Sequence, residues 1–378
     1  VSAVIGIVVA AVQAALGANV VARMARGVRA SHAVAAAPAP GAVTVIVPVL
    51  DEARRIEPCL RGLLAADATV AQILVVDGGS SDATIERTRA LTAHDPRVRI
   101  IDAAPVPPGW NGKAWGLAVG LRASTTAWVA TIDADVRPTG GLFSALVAQA
   151  ARRDVEALSV ATRQELADPW QAIVHPAMLA TLIYRFGLPG REARHVADVQ
   201  ANGQCFLARR TLLLDRAAFD GARTSRCEDV TVARALVASG VPVGFYEAGD
   251  LVSVRMHENW RETWTNWPRS LTLRDAYARF GGWFGLTEVA VVQALPLPMA
   301  AVLAAAHATA SPAFAVAAIL TCVRFGVLAG SARAYVRRPW TYWLAPLADV
   351  PVTIALVIAN VRRTHTWRGR VLVPAEQR

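Results

Sequence analysis

Apolar and polar positions fall into three regimes along this chain. Residues 1–22 are apolar except for a few positions such as Ser2, Gln13 and Asn19, close to the roughly 20 residues a membrane-spanning helix needs. Residues 31–41, rich in Ala and Pro, predict a linker. From residue 42 the pattern changes to short β-prone runs alternating with segments of helical period. Residues 43–48, 73–76 and 98–101 predict strands. Residues 58–66, with Leu60, Leu63 and Leu64 at helical spacing, 82–93 with Asp82 as N-cap, and 112–123 predict helices. The apolar run in 128–138 ends abruptly in Asp133-Ala134-Asp135 and predicts a buried strand that delivers two carboxylates to its C-terminal end. Residues 155–160, 204–207 and 243–246 follow as strands and 228–238 as a helix. Such alternation predicts an α/β domain with a mostly parallel, helix-covered sheet.

The third regime starts at residue 258. Between 258 and 280, Trp260, Trp264, Trp267, Tyr277 and Phe280 alternate with Arg261, Arg269, Arg274 and Arg279, the composition of a helix lying in a membrane interface. A helix packed on the preceding domain is the alternative. Residues 283–307 and 312–331, joined by a short uncharged turn, predict a membrane hairpin. Residues 343–361 are a third apolar segment, interrupted by Pro346, Asp349 and Pro351. The predicted division is an N-terminal transmembrane helix (1–22), a linker (23–41), a catalytic domain (42–257), an amphipathic interfacial segment (258–282), a transmembrane hairpin (283–331), and a last apolar segment with a basic tail (332–378). Arg23, Arg26 and Arg29 directly after the first apolar run put the following domain on the cytoplasmic side of the cell membrane. A cleaved signal peptide is the alternative, disfavoured by the long apolar run and the lack of a basic n-region. If every later segment crosses, the Arg-rich C-terminus falls outside, against the same tendency. A charge at bilayer centre is costly, so Asp349 predicts a re-entrant or interfacial last segment.

Composition agrees with membrane segments: 54% of residues are hydrophobic and 18% charged, with a mean hydropathy of +0.35. The formal charge of +10 sits in arginine clusters beside apolar segments, which favours anionic lipid or phosphate-bearing substrates over nucleic acid. Cys59, Cys205, Cys227 and Cys322 show no C-x-x-C spacing and predict isolated thiols in a reducing compartment.

Four acidic stretches converge on one predicted sheet edge: Pro48-Val49-Leu50-Asp51-Glu52 after the first strand, Asp77-Gly78-Gly79-Ser80-Ser81-Asp82 after the second, Asp133-Ala134-Asp135, and Glu228-Asp229 opening a helix. Ligands of open α/β sheets bind at this edge. Carboxylates at successive strand ends fit a nucleoside diphosphate held through a divalent cation with oxygen ligands. Lys113, at a predicted helix start, would face phosphates there.

Over residues 43–273 the chain resembles the family 2 glycosyltransferases of GT-A fold. VIVPVLDEARRI is similar to the family's opening strand and VVDGGSSDAT to its D-x-x-S-x-D-x-T turn. DAD is similar to its metal motif and EDVTVARAL to its catalytic helix. The resemblance implies a nucleotide-sugar donor, probed by Pro48, Glu52, Asp77, Lys113 and Asp133, and a divalent metal, Mg²⁺ or Mn²⁺, on Asp135. It also implies a catalytic base, Asp229, and an acceptor side formed by Gly203, Gln204 and Glu228. Pro108-Gly109-Trp110-Asn111-Gly112-Lys113 resembles a loop of membrane-bound members that glycosylate carotenoids, hopanoids and sphingolipids. This implies inverting transfer of one sugar, from a UDP-sugar, to a membrane lipid hydroxyl. The alternatives are a polyprenyl-phosphate glycosyltransferase, a polysaccharide synthase, and a catalytically silent scaffold. The Q-x-x-R-W of processive synthases has only a poor echo in Asn266-Trp267-Pro268-Arg269-Ser270.

Overall fold

The structure is a computed structural model that describes residues 2–30, 34, 43–278 and 282–362 and the backbone of 365–367 and 370–372, with side chains described for 6–27, 34, 43–278 and 282–362. Most of the predicted linker, the Arg29 side chain, Arg279, Phe280 and most of the basic tail lie outside the described residues.

Helix α1 (Ser2–Ala30) precedes the alternating region. There β1 (Val43–Val49), α2 (Ile56–Leu64), β2 (Val70–Asp77), α3 (Thr84–Thr92), β3 (Val98–Asp102), α4 (Gly112–Ala123) and β4 (Trp128–Ile132) follow one another. The 128–138 run is not one strand. It breaks at Asp133 and resumes as β5 (Val136–Pro138) in another sheet. Next come α5 (Leu142–Arg153), β6 (Ala157–Ala161), β7 (Arg163–Gln164), α6 (Gln171–Phe186), β8 (Arg191–Ala193) and β9 (Cys205–Arg209). The domain closes with α7 (Arg210–Asp215), α8 (Ala218–Gly221), α9 (Glu228–Ala238), β10 (Val243–Glu247), β11 (Val252–Val254) and α10 (Trp260–Leu271).

The main sheet runs β3-β2-β1-β4-β9-β6-β10-β8, and a smaller one runs β5-β11-β7. Four of the main sheet's seven pairings are parallel: β1 with β2 and with β4, β2 with β3, and β6 with β10. The order reverses at β1/β4, where the loops leaving the two strands diverge and open a crevice. Alternation along β1 feeds both faces. Val45 and Val47 join the layer containing Leu60 of α2 and Phe143 of α5, while Ile46 joins the layer containing Leu117 of α4 and Leu236 of α9. Each such buried aliphatic side chain contributes roughly 1.5–3 kcal/mol. Gly120 lets α4 approach closely, since a Cβ there would stand 2.5 Å from Ile46 Cγ2.

Among the described residues four helical segments are long and apolar enough to cross a membrane: Gly6–Gly27, Trp283–Ala305, Pro312–Ala334 and Trp340–Val361. The second is α11 (Trp283–Glu288), a π-helical turn at Val289–Ala294, and α12 (Pro296–Ala305). The turn widens just before Pro296, which lacks an N–H and crowds the preceding turn. The third contains α13 (Pro312–Ser331). The fourth is a 3₁₀ stretch, Trp340–Ala348, leading into α14 (Asp349–Val361). A short antiparallel pair, β12 (His365–Trp367) and β13 (Arg370–Leu372), follows.

Helix α6 joins these segments to the domain. Its Ala177 and Met178 pack with α10 and α14, its Ala180 and Tyr184 with α1, α13 and the π turn, and its Ala172 with Tyr335 and Tyr342. Arg23 of α1 donates to the Tyr184 carbonyl at 3.1 Å and pairs with Glu288 at 2.6 Å. Within 258–282, Thr263, Trp267, Pro268 and Leu271 are buried, so α10 turns its apolar stripe onto α6 and α14. Among the described residues the exposed indoles are those of Trp170, Trp283, Trp340 and Trp343.

Candidate active site

The turns after β1 and β2 are stapled together. Asp51 has a left-handed backbone (φ +54°), a conformation that Asp and Asn tolerate better than most residues. Its carboxylate accepts from the Ser81 N–H at 2.7 Å, while its own N–H donates to Ser80 Oγ at 3.0 Å. Asp77 accepts from the Ser80 hydroxyl at 2.6 Å and from its N–H at 3.0 Å. Asp82 accepts from the Thr84 N–H at 3.0 Å and the Ala53 N–H at 3.1 Å. The Ser-rich turn thus fixes the exit of β1, and with it Glu52.

Asn111 caps α4, accepting from the N–H groups of Lys113 at 2.8 Å and Ala114 at 3.1 Å. Its amide donates to the Ser225 carbonyl at 2.6 Å, which ties the start of α4 to the loop entering α9. Lys113 Nζ consequently sits between two carboxylates, 2.7 Å from Asp133 and 2.7 Å from Glu228. Burial pulls the lysine pKa down, but Asp133, Glu228 and Asp229 together more than offset it and hold it well above its ordinary value. Burial raises Asp133 against the pull of Lys113. Asp135 is pushed up to about 7, by burial first and then by the charges of Asp133 and Glu52. Asp229 is pushed up to about 7 by burial and by Glu228, with Lys113 opposing.

Two cavities meet at these residues. One, of about 580 Å³, runs over the β1/β4 crevice and is lined by Pro48, Glu52, Gly78, Lys113, Asp133 and Asp135. Asp77 lies in the turn at its edge. The other, of about 340 Å³, is lined by Gly203, Gln204, Glu228 and Asp229 and extends along apolar Leu179, Leu182, Ile183 and Phe186 of α6. Lys113, Asp133, Asp135, Met256, Trp267 and Ser270 line both. Gly203 is required by close approach: a Cβ there would stand 3.0 Å from Lys113 Nζ and 3.3 Å from the Asp229 carboxylate. Gln204 is buried and accepts from Thr162 and, at 3.0 Å, from Asn202.

The structure brings further residues to this crevice. His257, Glu262, Asn266, Trp267 and Arg269 all line the larger cavity, because the chain after β11 folds back over the sheet edge. The Asn266–Ser270 echo was the available signal. Of the other histidines, His175 is buried with Nδ1 3.0 Å from the Tyr335 hydroxyl, and His195 is exposed. Trp110 packs edge-on against Trp115 at 5.2 Å.

Among the described residues no group of three or more His, Cys, Asp and Glu side chains surrounds a common metal position. Two groups nevertheless fit a divalent cation. Asp135 Oδ1 and the His257 ring nitrogens are buried without a close hydrogen-bond partner, the Glu262 carboxylate standing 3.8 Å from His257 Nδ1. Burial pushes the His257 pKa down to about 4, leaving the neutral, ligating form at neutral pH. A Mg²⁺-like ion bound by one or two protein groups completes its shell with water and substrate phosphates.

A mostly parallel sheet whose order reverses at β1/β4, with carboxylates and a lysine on the crevice, defines an α/β domain with a ligand-binding edge. Residues 44–213, just under half of the chain, match the family model described as Glycosyl transferase family 2, and the fold is of GT-A type. A glycosyltransferase named YibD from Escherichia coli (strain K12), itself described as uncharacterized, is 23% identical over 163 residues. That match covers 41% of this chain and 46% of the relative, so the chain spans about half the length of the curated relative. Among solved structures, the mannosyltransferase PcManGT from Pyrobaculum calidifontis, in complex with GDP-Man and Mn²⁺, is similar in fold at a TM-score of 0.51 and 20% identity. It covers 96% of this chain and 99% of its own.

Proposed function

We propose that this protein transfers one sugar from a nucleotide-diphospho-sugar, a UDP-sugar, to a hydroxyl of a membrane lipid, with inversion at the anomeric carbon. The observation that carries this reading is the position of Asp229. It stands on the wall of a chamber that is apolar beyond it and meets the crevice at Lys113 and Asp133. A carboxylate with a pKa of about 7 suits a general base at neutral pH.

In this reading the crevice holds the donor, with Glu52 and the turn around Asp77 on the nucleoside and Asp133 toward the diphosphate. Asp135 and His257 are the groups that would hold Mg²⁺ or Mn²⁺, which when bound neutralises charge on the departing diphosphate. Asp229 takes the proton of the acceptor hydroxyl. The oxygen bonds to the anomeric carbon as the bond to the diphosphate oxygen breaks on the opposite face. One displacement without a covalent enzyme intermediate inverts the configuration. Lys113 keeps its proton and holds Asp133 and Glu228 on either side of the reacting centre. The candidate spans hold the domain on the cytoplasmic face of the cell membrane, with the acceptor chamber toward the lipid.

The test uses membranes containing the protein, total lipid extract, Mg²⁺ or Mn²⁺, and radiolabelled UDP-glucose, UDP-galactose, UDP-N-acetylglucosamine or GDP-mannose. Label is expected in the organic phase with a UDP-sugar and is expected to disappear with Asp229→Asn. Label that persists in Asp229→Asn points to a phosphate acceptor, which needs no base. No lipid label with any donor overturns the reading.

A further inference from the structure

We propose that the acceptor lipid enters sideways, through an opening between the loop after α6 and the C-terminal turn of α13, and that Gly330 is the residue that keeps it open. This inference rests on the lipid-acceptor reading above. The smaller cavity does not end at the catalytic domain. It continues from Asp229 past Phe186, Leu188 and Pro189 to Gly330, Ser331 and Ala334, at the end of a helix apolar enough to cross a membrane.

The two sides of the mouth are built differently. On the α6 side the loop is fixed against α1. A Cβ on Gly27 would stand 2.9 Å from Leu188 Cβ, and one on Gly187, at φ +86°, would stand 3.2 Å from the Arg23 carbonyl oxygen. On the α13 side Gly330, Ser331 and Ala334 are small, and a Cβ built on Gly330 meets nothing within 4 Å. Arg333, just beyond, also lines the chamber and pairs with Glu247 of β10 at 2.7 Å. The chamber's 340 Å³ holds about eleven groups the size of a water molecule at ~30 Å³ each. That accommodates a hydroxyl-bearing head and the first carbons of one chain. The rest of the acceptor stays outside the chamber. The site therefore selects an amphiphile whose hydroxyl lies close to its apolar body.

Gly326 supplies the control. It lies one turn earlier on the same helix with equally open space around it, but it does not line the chamber. The experiment compares the full chain in membranes carrying Gly330→Trp or Gly326→Trp, with total lipid extract as acceptor and the donor that labels lipid with wild type. Release of free sugar from the donor to water serves as the second readout. Gly330→Trp is expected to lower lipid labelling at least about tenfold with donor hydrolysis unchanged, and Gly326→Trp to stay within about twofold of wild type. A second variant guards against misfolding. Gly330→Cys in a Cys322→Ser background should label lipid normally and lose labelling progressively as thiol reagents of increasing size are attached. Wild-type labelling by Gly330→Trp, equal loss in both tryptophan variants, or no dependence on reagent size overturns the portal alone. Donor hydrolysis without any lipid label in the wild type overturns the acceptor reading, and the portal with it.

Discussion

The proposed chemistry depends on how burial and charge divide protons among five carboxylates and one lysine. Asp229 can accept a proton only when ionised. With its pKa raised to about 7 by burial and Glu228, kcat/KM for the acceptor should rise with pH and level off above about 7. Asp229→Asn should abolish that limb and lower the rate by about 10²–10⁴. Lys113 pulls the Asp229 pKa down, so Lys113→Met should move the limb to higher pH; a profile that stays in place would assign the base elsewhere. Asp135 sets activity against stability. Its folded-state pKa is above the unfolded value, so the folded protein binds more protons than the unfolded chain between about pH 4 and 7. The stability contributed by this group is therefore lost as pH rises through that window. Asp135→Asn removes the ionised form that burial, Asp133 and Glu52 oppose. Thermal unfolding at pH 8 in EDTA should show a higher Tm, by about 2–4 °C per kcal/mol relieved, alongside loss of transfer activity. A lower Tm would mean that the carboxylate is an accepted partner in the metal-free fold.

Among the elements, those with one buried face or a clear end signal were legible in the sequence. Helix α4 begins at Gly112 after a capping Asn and α9 at Glu228, and both match their predicted spans. Helix α6 was not legible because it packs against α1, α10, α14 and the hairpin at once. A helix covered on several sides has no polar stripe to reveal its period, and Pro176 in its interior resembles a break. The stripe on α10 was legible but its destination was not, since an amphipathic pattern shows that one face is covered without showing by what. The break between β4 and β5 was hidden because Val136 is as buried as Val129, although the two belong to different sheets. The same reasoning divides the site. Carboxylates at strand ends reveal themselves because the strand order determines where they gather. His257, Trp267 and Arg269 reach the crevice only because the chain after β11 returns across it, a long-range event without local periodicity. The partners of Lys113 were likewise invisible until Asn111 was seen to tie α4 to the loop before α9.

For the whole molecule, the open question in the sequence was the last apolar segment, which carries Asp349. Its charge is not offered to lipid. Asp349 accepts from Arg324 at 2.6 and 2.9 Å and from Gln293 at 2.8 Å. Arg324 lies seven residues before Ser331, the end of α13 nearest the catalytic domain, which is about 10 Å of helix at ~1.5 Å per residue in a hydrocarbon core of roughly 30 Å. Both ends of the segment return to the domain. The Thr341 hydroxyl donates to the Pro169 carbonyl at 2.8 Å, and Arg274 donates to the Asn360 carbonyl at 3.1 Å. Half of the segment's apolar window is buried, against a third or less for the other candidate spans. These contacts support a segment that dips to the Arg324–Asp349 pair and comes back, with Arg362 at its end on the side of the catalytic domain, as the positive-inside tendency asks. In a Cys322→Ser background, cysteines placed at Arg362 and, as a domain marker, at the exposed Arg87 should react with a membrane-impermeant maleimide in the same vesicle orientation. Labelling in opposite orientations would mean that the segment crosses. The pair itself gives a second check. Asp349→Leu alone leaves a buried guanidinium uncompensated and should cost about 3–5 kcal/mol, whereas Arg324→Leu with Asp349→Leu should recover most of that loss. If the double variant is as unstable as the single one, the pair holds the segment through geometry that two apolar side chains cannot replace.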